Sequence, residues 1–214
     1  MRLFLILITS FICCGQSLSI GVKGGFRATD DIADAATSES KRYIVSPMAE
    51  LGLPFGLGVE FDALYSRQGY RSSFGNFAGS IFSRERGNSW EFPILVKYKL
   101  PVPIARPLVE VGYAPRLING SIESNGVTVN LLTGAQTFQR SRMNTNWDSS
   151  QGIVAGGGIQ LGLGRLRLSP EVRYTHWNNA AIHVYYTSGV AFQSTQDQVD
   201  LLVGIGWNTR LLGR

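Results

Sequence analysis

Cysteine is scarce in this sequence: there are only two, Cys13 and Cys14, and both lie near the start of the chain. The same region has a short basic beginning, an apolar core and small residues at Ser17 and Ser19, which is typical of a secretory signal peptide. We predict a signal peptide over residues 1–19. Without that leader the chain has no thiol, so disulfides, cysteine-ligated zinc and a cysteine nucleophile are excluded.

Long apolar runs are missing as well. A transmembrane helix needs about 20 apolar residues in succession, and charge or glycine interrupts every later apolar segment well before that length. The leader is itself too short for a helical anchor. Lipidation of a leader cysteine is a competing interpretation, but Ile12 stands before Cys13, where a small residue is expected. The sequence therefore predicts no transmembrane helix.

Charge is sparse and dispersed. Charged residues make up 16% of the chain and give a formal net charge of +5, without a concentrated basic segment. This distribution argues against a nucleic-acid-binding surface. What the chain has instead is 25 glycines and 11% aromatic residues, with little helical periodicity. That composition favours an all-β fold, and the length fits one domain over residues 20–214.

The segment from Leu166 to Thr175 shows the clearest pattern in the chain. Apolar and polar residues alternate along it, so that Val172 and Tyr174 fall on one face and Glu171 and Arg173 on the other. This two-residue period indicates a β-strand with chemically different faces. We predict eight such strands, over residues 19–28, 42–51, 57–65, 90–99, 109–116, 153–161, 166–175 and 199–208.

The connections between these strands alternate in length. Short turns at one end and long loops at the other are typical of a transmembrane barrel in a bacterial outer membrane, with both termini periplasmic. The predicted fold is therefore all-β: an eight-stranded antiparallel up-and-down transmembrane β-barrel preceded by a signal peptide. The predicted long loops are residues 29–41, 68–88, 119–150 and 178–197. Within the third, the apolar stretch VTVNLL is the one part that could extend the flanking strands as a hairpin above the membrane.

Three prolines, Pro47, Pro93 and Pro170, fall inside predicted strands. Proline has no backbone N–H to donate to a strand ladder, and a closed barrel has no edge on which to place it. Each of these positions therefore predicts a bulge, a strand end or a missing hydrogen bond.

Four stretches of the chain resemble the bacterial outer-membrane protein β-barrel domain family, whose small eight-stranded barrels include OmpA and OmpX. The resemblance implies insertion into the outer membrane, with outer-membrane lipid and the barrel insertion machinery as partners, and it implies no shared activity. One departure is the C-terminus, because such barrels usually end on an aromatic residue and here seven residues follow Trp207. The stretches are SIGVKGGF, LPFGLGVEFDALY, NSWEFPILVKYKL and LRLSPEVRYTHW.

Charged residues of both signs share the face that the barrel would turn inward. Buried charges need partners of opposite sign, so we predict a structural network of paired charges in the lumen. Catalysis by a carboxylate pair is the competing interpretation, and the even spread of the charges favours the network. Its predicted members are Lys23, Arg27, Arg42, Glu50, Glu60, Asp62, Glu91, Lys97, Glu110, Arg116, Arg167, Glu171, Arg173 and Asp200.

Other candidate sites are weaker. His176 and His183 flank a predicted loop and could serve a surface hydrolase or acyltransferase, but they lack the spacing of a metal site. The AGGG segment beginning at Ala155 has no following GK[ST], which a phosphate-binding loop requires. We predict no catalytic residue, cofactor or metal. Four loop arginines, Arg84, Arg86, Arg140 and Arg142, either contact lipid phosphates or are solvated.

These observations favour a non-enzymatic, monomeric outer-membrane barrel that acts through its outer loops. Eight strands leave an interior just wide enough for side chains, which disfavours a conducting pore. The main alternative is a soluble, secreted lipocalin-like barrel that binds a small apolar ligand, with its apolar residues inside and its charges outside. A small outer-membrane enzyme and a narrow channel are the remaining alternatives.

Overall fold

The computed structural model describes residues 17–29, 37–76, 79–130, 132–179, 183–185, 191–193 and 195–210. Most of the predicted signal peptide, including Cys13 and Cys14, lies outside these residues, and its cleavage stays a prediction. The first strand begins at Ser17, within the predicted leader. Among the described residues, no helix is long and apolar enough to cross a membrane.

The described chain is almost entirely β-strand, with one short 3₁₀ turn at Pro54–Gly56. The strand segments are β1 Ser17–Arg27, β2 Thr37–Ser38, β3 Lys41–Gly52, β4 Leu57–Asp62, β5 Leu64–Asn76, β6 Gly79–Glu91, β7 Ile94–Lys99, β8 Ala105–Val129, β9 Gln136–Leu163, β10 Leu166–Trp177, β11 His183–Tyr185, β12 Ala191–Gln193 and β13 Asp197–Arg210.

Eleven of these segments form one antiparallel sheet that closes on itself where β8 pairs with β9. The predicted antiparallel barrel is therefore confirmed. Its strands are less continuous than predicted. Three positions in the barrel wall are each occupied by two segments that lie end to end: β2 with β3, β4 with β5, and β6 with β7. The eleven segments thus occupy eight positions around the barrel.

The prolines coincide with these irregularities. Pro93 lies in the gap between β6 and β7, and Pro47 stands opposite the gap between β4 and β5. At that second gap the Ala63 N–H donates both to the Ser46 hydroxyl over 3.0 Å and to the Pro47 carbonyl over 3.2 Å. Pro170 remains inside β10, but its ladder pairing with β9 is interrupted there. The missing N–H of proline accounts for all three irregularities.

Two of the predicted long loops are wrong. Residues 68–88 and 119–150 largely continue the barrel strands: β5 and β6 pair as far as Asn76 and Gly79, and β8 and β9 as far as Val129 and Gln136. β9 alone has 28 residues, whereas a tilted strand crosses a bilayer in about 9–11. These extensions have polar residues on both faces, so they lack the alternation that identified the other strands.

The remaining two predicted loops are only partly described. In the first, Thr37–Ser38 forms the short β2 against β5, and residues 30–36 lie outside the described part. In the second, β11 and β12 pair with each other, and the residues around them lie outside the described part as well.

The outward face of the barrel wall is apolar and the inward face is charged, as insertion in lipid requires. Val172 and Phe61 point outward and are 52% and 47% exposed, whereas Arg173 and Glu60 point inward and are each 1% exposed. This polarity is opposite to that of a soluble ligand-binding barrel, so the lipocalin-like alternative is wrong. Five apolar residues are also buried on the inward face, which is therefore of mixed polarity: Ile44, Met48, Leu64, Leu95 and Leu202.

The outward face generates a first prediction. Val203 points outward near the middle of β13 and is 46% exposed. We expect Val203→Arg to lower the free energy of unfolding in phospholipid vesicles by about 2–4 kcal/mol, because mid-bilayer arginine must leave water. Urea titration of the reconstituted barrel measures this change.

Phe138→Arg is the matched control. Phe138 is 74% exposed on the β9 extension, beyond the apolar band, so its replacement should leave the unfolding midpoint unchanged. Equal losses of stability in both variants would contradict the assignment of a lipid-facing band.

Candidate functional site

Charges meet inside the barrel at the middle of the wall. Lys97 of β7 stands opposite Glu110 of β8, and Glu110 stands opposite Gly156 of β9. The next strand, β10, places Arg173 beside that glycine. Because Gly156 has no side chain, the Arg173 guanidinium reaches across it and donates to Glu110 over 2.9 Å. Residues of opposite charge therefore meet across four neighbouring strands.

Lys97 is the first centre of this cluster. Its Nζ lies 2.8 Å from a carboxylate oxygen of Glu60, 3.0 Å from one of Glu110 and 2.7 Å from one of Glu171. The Lys97 side chain is only 1% exposed, and the three carboxylates are no more exposed than that. Burial removes water from all four groups, so contacts with the ammonium group replace part of the hydration that the three carboxylates lose.

Lys23 and Arg173 complete the central cluster. The Lys23 ammonium contacts Glu60, lies 2.7 Å from Glu171 and reaches Asp62 at 3.4 Å. Arg173 donates to Asp62 over 3.0 Å. Each carboxylate therefore faces at least two cations, and removing any one cation takes a contact away from several buried carboxylates at once.

A second cluster lies toward the end of the barrel that carries the long hairpins. Arg27 donates to Asp200 over 3.1 Å and to Glu91 over 2.9 Å. Gln198 donates to the same two carboxylates over 2.6 and 3.2 Å, and it accepts from the Trp177 indole over 3.0 Å. The amide of Gln198 thereby joins the ion pairs to the aromatic side chain.

Arg116 closes this end of the interior. Its guanidinium carbon lies 3.8 Å from the centre of the Trp177 ring, a cation–π contact, and its Nε donates to Ser150 over 2.8 Å. Trp177 is completely buried here. The sequence prediction did not include it, although it has the same strand parity as Arg173 and therefore falls on the inward face.

A third cluster lies at the opposite end, around Glu50. Lys99 contacts its carboxylate, and the Arg167 guanidinium lies 3.2 Å from it. The sequence prediction omitted Lys99 from the network. The signal was available, because Lys99 has the same strand parity as Lys97 and only 7% of it is exposed.

Arg42 is the one predicted network residue that the structure places outside the interior. It has the parity of Glu50, yet it is exposed. The reason is its position one residue beyond Tyr43, the last residue of β3 that pairs with β1. At that height the wall no longer encloses the side chain. The other thirteen predicted residues are buried or, for Arg167, half-buried.

The central carboxylates have the spacing of a metal site. Oxygens of Glu60, Glu110 and Glu171 lie within 4.8 Å of one another. The Lys97 ammonium, however, lies within 3.0 Å of all three residues. A protein cation therefore occupies the position that a metal ion would take, and the donor set does not fit an additional ion.

The AGGG segment belongs to the interior wall and does not form a phosphate-binding loop. A Cβ on Gly156 would lie 2.7 Å from a Glu110 oxygen, and one on Gly158 would lie 2.3 Å from the Pro170 carbonyl. These glycines leave the space into which the carboxylates and Arg173 reach.

The predicted hydrolase residues are not assembled into a catalytic group in the described structure. His176 lies on the exterior, where its Nδ1 is 2.8 Å from Asp197, and Tyr174 donates to the same carboxylate over 2.5 Å. Within the described ranges, no serine hydroxyl bonds to His176. The side chain of His183 lies outside the described part of the structure.

The four predicted loop arginines lie on strand extensions. Arg84 and Arg86 belong to β6, and Arg140 and Arg142 to β9. Glu85 lies between Arg84 and Arg86 in the chain, and burial raises the pKa of its carboxyl above the ordinary value. The hairpin extensions therefore have their own polar interior.

Solved structures share this fold. A major outer membrane protein from Thermus thermophilus matches with a TM-score of 0.53 and 11% identity over 91% of this chain and 99% of that one. The N-terminal β-barrel domain of Pseudomonas aeruginosa OprF matches with a TM-score of 0.42 and 13% identity, over 90% and 97% of the two chains. Neisserial surface protein A matches with a TM-score of 0.39 and 13% identity, over 90% and 98%. No protein-family model and no curated protein sequence matches this chain.

The central cluster generates a second prediction. Glu171→Ala removes a carboxylate that contacts Lys23, Lys97 and Arg173 at once, so each of these buried cations loses one of its partners. We expect the free energy of unfolding in detergent to fall by about 3–5 kcal/mol. Denaturant titration followed by tryptophan fluorescence measures the loss.

Glu123→Ala provides the comparison. Glu123 pairs at 3.6 Å with Arg142 on the exposed extension, and such a pair contributes at most about 1 kcal/mol. The interpretation of the cluster as stabilising fails if Glu171→Ala costs no more than Glu123→Ala.

Proposed function

We propose that this chain is a non-enzymatic β-barrel protein of the outer membrane, with a lumen filled by paired charges and a surface-interaction role in its long hairpins. The fold is that of outer-membrane barrels, and the outward apolar band supports insertion in lipid. The observation that supports this proposal most directly is the buried charge cluster, in which Lys97 and Arg173 bridge carboxylates from neighbouring strands.

The distribution of aromatic residues supports a definite orientation. Tyr65, Trp90 and Tyr113 border the apolar band below the long hairpins, and Tyr98 and Trp207 border it at the opposite end. Aromatic side chains prefer the two membrane–water interfaces. Long hairpins are extracellular in such barrels, so the end that carries the paired Ser17 and Arg210 is periplasmic.

The filled lumen argues against transport. Eight strand positions leave room for little more than side chains, and Lys23, Lys97 and Arg173 span the centre with their carboxylate partners. A solute on this path would have to separate buried ion pairs. The long β8–β9 hairpin is then the part of the molecule most accessible to external partners, and the barrel acts as a monomeric support for it.

Surface labelling tests the orientation. We expect Thr133→Cys, at the tip of the β8–β9 hairpin, to react with a membrane-impermeant maleimide on intact cells. Arg165→Cys, in the turn between β9 and β10, should react only after the outer membrane is permeabilised. Both parent residues are exposed, so accessibility differs only by the side of the membrane. Labelling in the reverse order would overturn the orientation, and a mature protein in the soluble periplasmic fraction would overturn the location.

Electrical recording tests the closed lumen. In a planar bilayer, the purified barrel should produce no stepwise current, because paired side chains occupy its interior. Regular channel openings of the parent protein, with an ion selectivity that changes in Lys97→Ala, would favour a narrow channel instead.

A further inference from the structure

An apolar recess interrupts the outward face of the barrel on β1, β3 and the start of β5. It has a volume of about 860 Å³ and is lined by Val22, Gly24, Val45, Pro47 and Ala63 among others. Small side chains create it: Gly24 contributes none, and Ala63 stands in the gap between β4 and β5. The recess lies within the lipid-facing band and is wide enough to receive an acyl chain.

A polar recess of about 520 Å³ lies farther along the same outward face, on the hairpin extensions. Arg67, Arg86 and Arg142 line it together with Asn88 and Asn119. Register places these residues on one surface, because Arg67 stands opposite Asn88, which in turn stands opposite Asn119. The recess therefore presents guanidinium and amide donors together.

The arginines of this region differ in whether they form ion pairs with carboxylates of the protein. Arg71 and Arg84 lie 2.7 and 2.5 Å from Glu39, and Arg142 lies 3.6 Å from Glu123. Neither Arg67 nor Arg86 has an ion pair with any residue that the structure describes. Two guanidinium groups thus remain available for an anionic ligand, and the recess has a local excess of positive charge.

Tyr65 and Trp90 join the two recesses. Their ring centres are 5.0 Å apart, and both line the upper edge of the apolar recess. The Tyr65 hydroxyl donates over 2.9 Å to Asn88, which lines the polar recess. Arg67 follows Tyr65 by two residues on the same face, a distance of about 7 Å along a strand. The two recesses are therefore adjacent, with the apolar one toward the membrane centre.

We propose that this surface binds one phosphorylated lipid of the outer leaflet, with an acyl chain in the apolar recess and a phosphate at Arg67 and Arg86. The arginine fork binds phosphate oxygens through two parallel hydrogen bonds. The aromatic pair sets the boundary between the chain and the headgroup. This inference rests on the proposed outer-membrane location and names a ligand that the barrel itself holds there.

Native mass spectrometry of the full-length mature barrel, released from nonionic micelles, tests the proposal. The probe is a bisphosphorylated, acylated glucosamine disaccharide, compared with its dephosphorylated form. We expect R67Q/R86Q to bind the phosphorylated probe at least tenfold more weakly than the parent protein. Gly24→Leu should weaken binding at least fivefold by filling the apolar recess. A Cβ at Gly24 lies 4.0 Å from its nearest neighbour, so this variant should fold.

R106Q/R165Q is the matched control, because it removes two positive charges at the opposite end of the barrel. It should bind the probe as the parent protein does. The proposal is overturned if R67Q/R86Q or Gly24→Leu binds normally, if the dephosphorylated probe binds equally well, or if millimolar inorganic phosphate alone displaces the lipid. These results are independent of the cysteine labelling that tests the outer-membrane location.

Discussion

The neutralisation of buried charge is the constraint on which this barrel depends. A wall that turns its apolar side chains toward lipid must turn its charged ones inward, where little water can reach them. The cost of burial is offset only when each charge meets a partner of opposite sign. Lys23, Lys97 and Arg173 provide this compensation by contacting carboxylates from several strands, so the ion pairs tie opposite sides of the wall together.

Glycine and proline adapt the wall to this interior. Gly156 and Gly158 leave the space that the carboxylates of Glu110 and Glu171 occupy, which explains a glycine run that resembles a phosphate-binding loop. Pro93 and the gap opposite Pro47 divide two barrel positions into separate segments. On the outward face, the gap between β4 and β5 leaves the apolar recess beside Ala63. Irregularities that weaken the ladder thus shape both surfaces of the wall.

The hairpin extensions lack the division into an apolar and a polar face that the barrel strands have. Both of their faces carry polar residues, and cross-strand bonds such as the 3.1 Å contact between Ser83 and Ser124 hold them together. They need no lipid and no apolar core. This freedom allows arginines to collect just beyond the aromatic boundary of the membrane band. The result is a molecule whose closed barrel positions a large polar surface above the outer leaflet.

The sequence alone determined the class of fold, the direction of each face and most of the interior charges, because a two-residue period assigns every side chain in a strand to one side. It could not assign the extensions as strands, since their alternation has no apolar half, and it could not exclude Arg42, since parity says nothing about where a wall ends. The sequence alone also could not identify which interior charges contact each other. Only the register of the closed sheet brings Arg173 to Glu110 across Gly156, because contacts between distant segments depend on how the barrel closes.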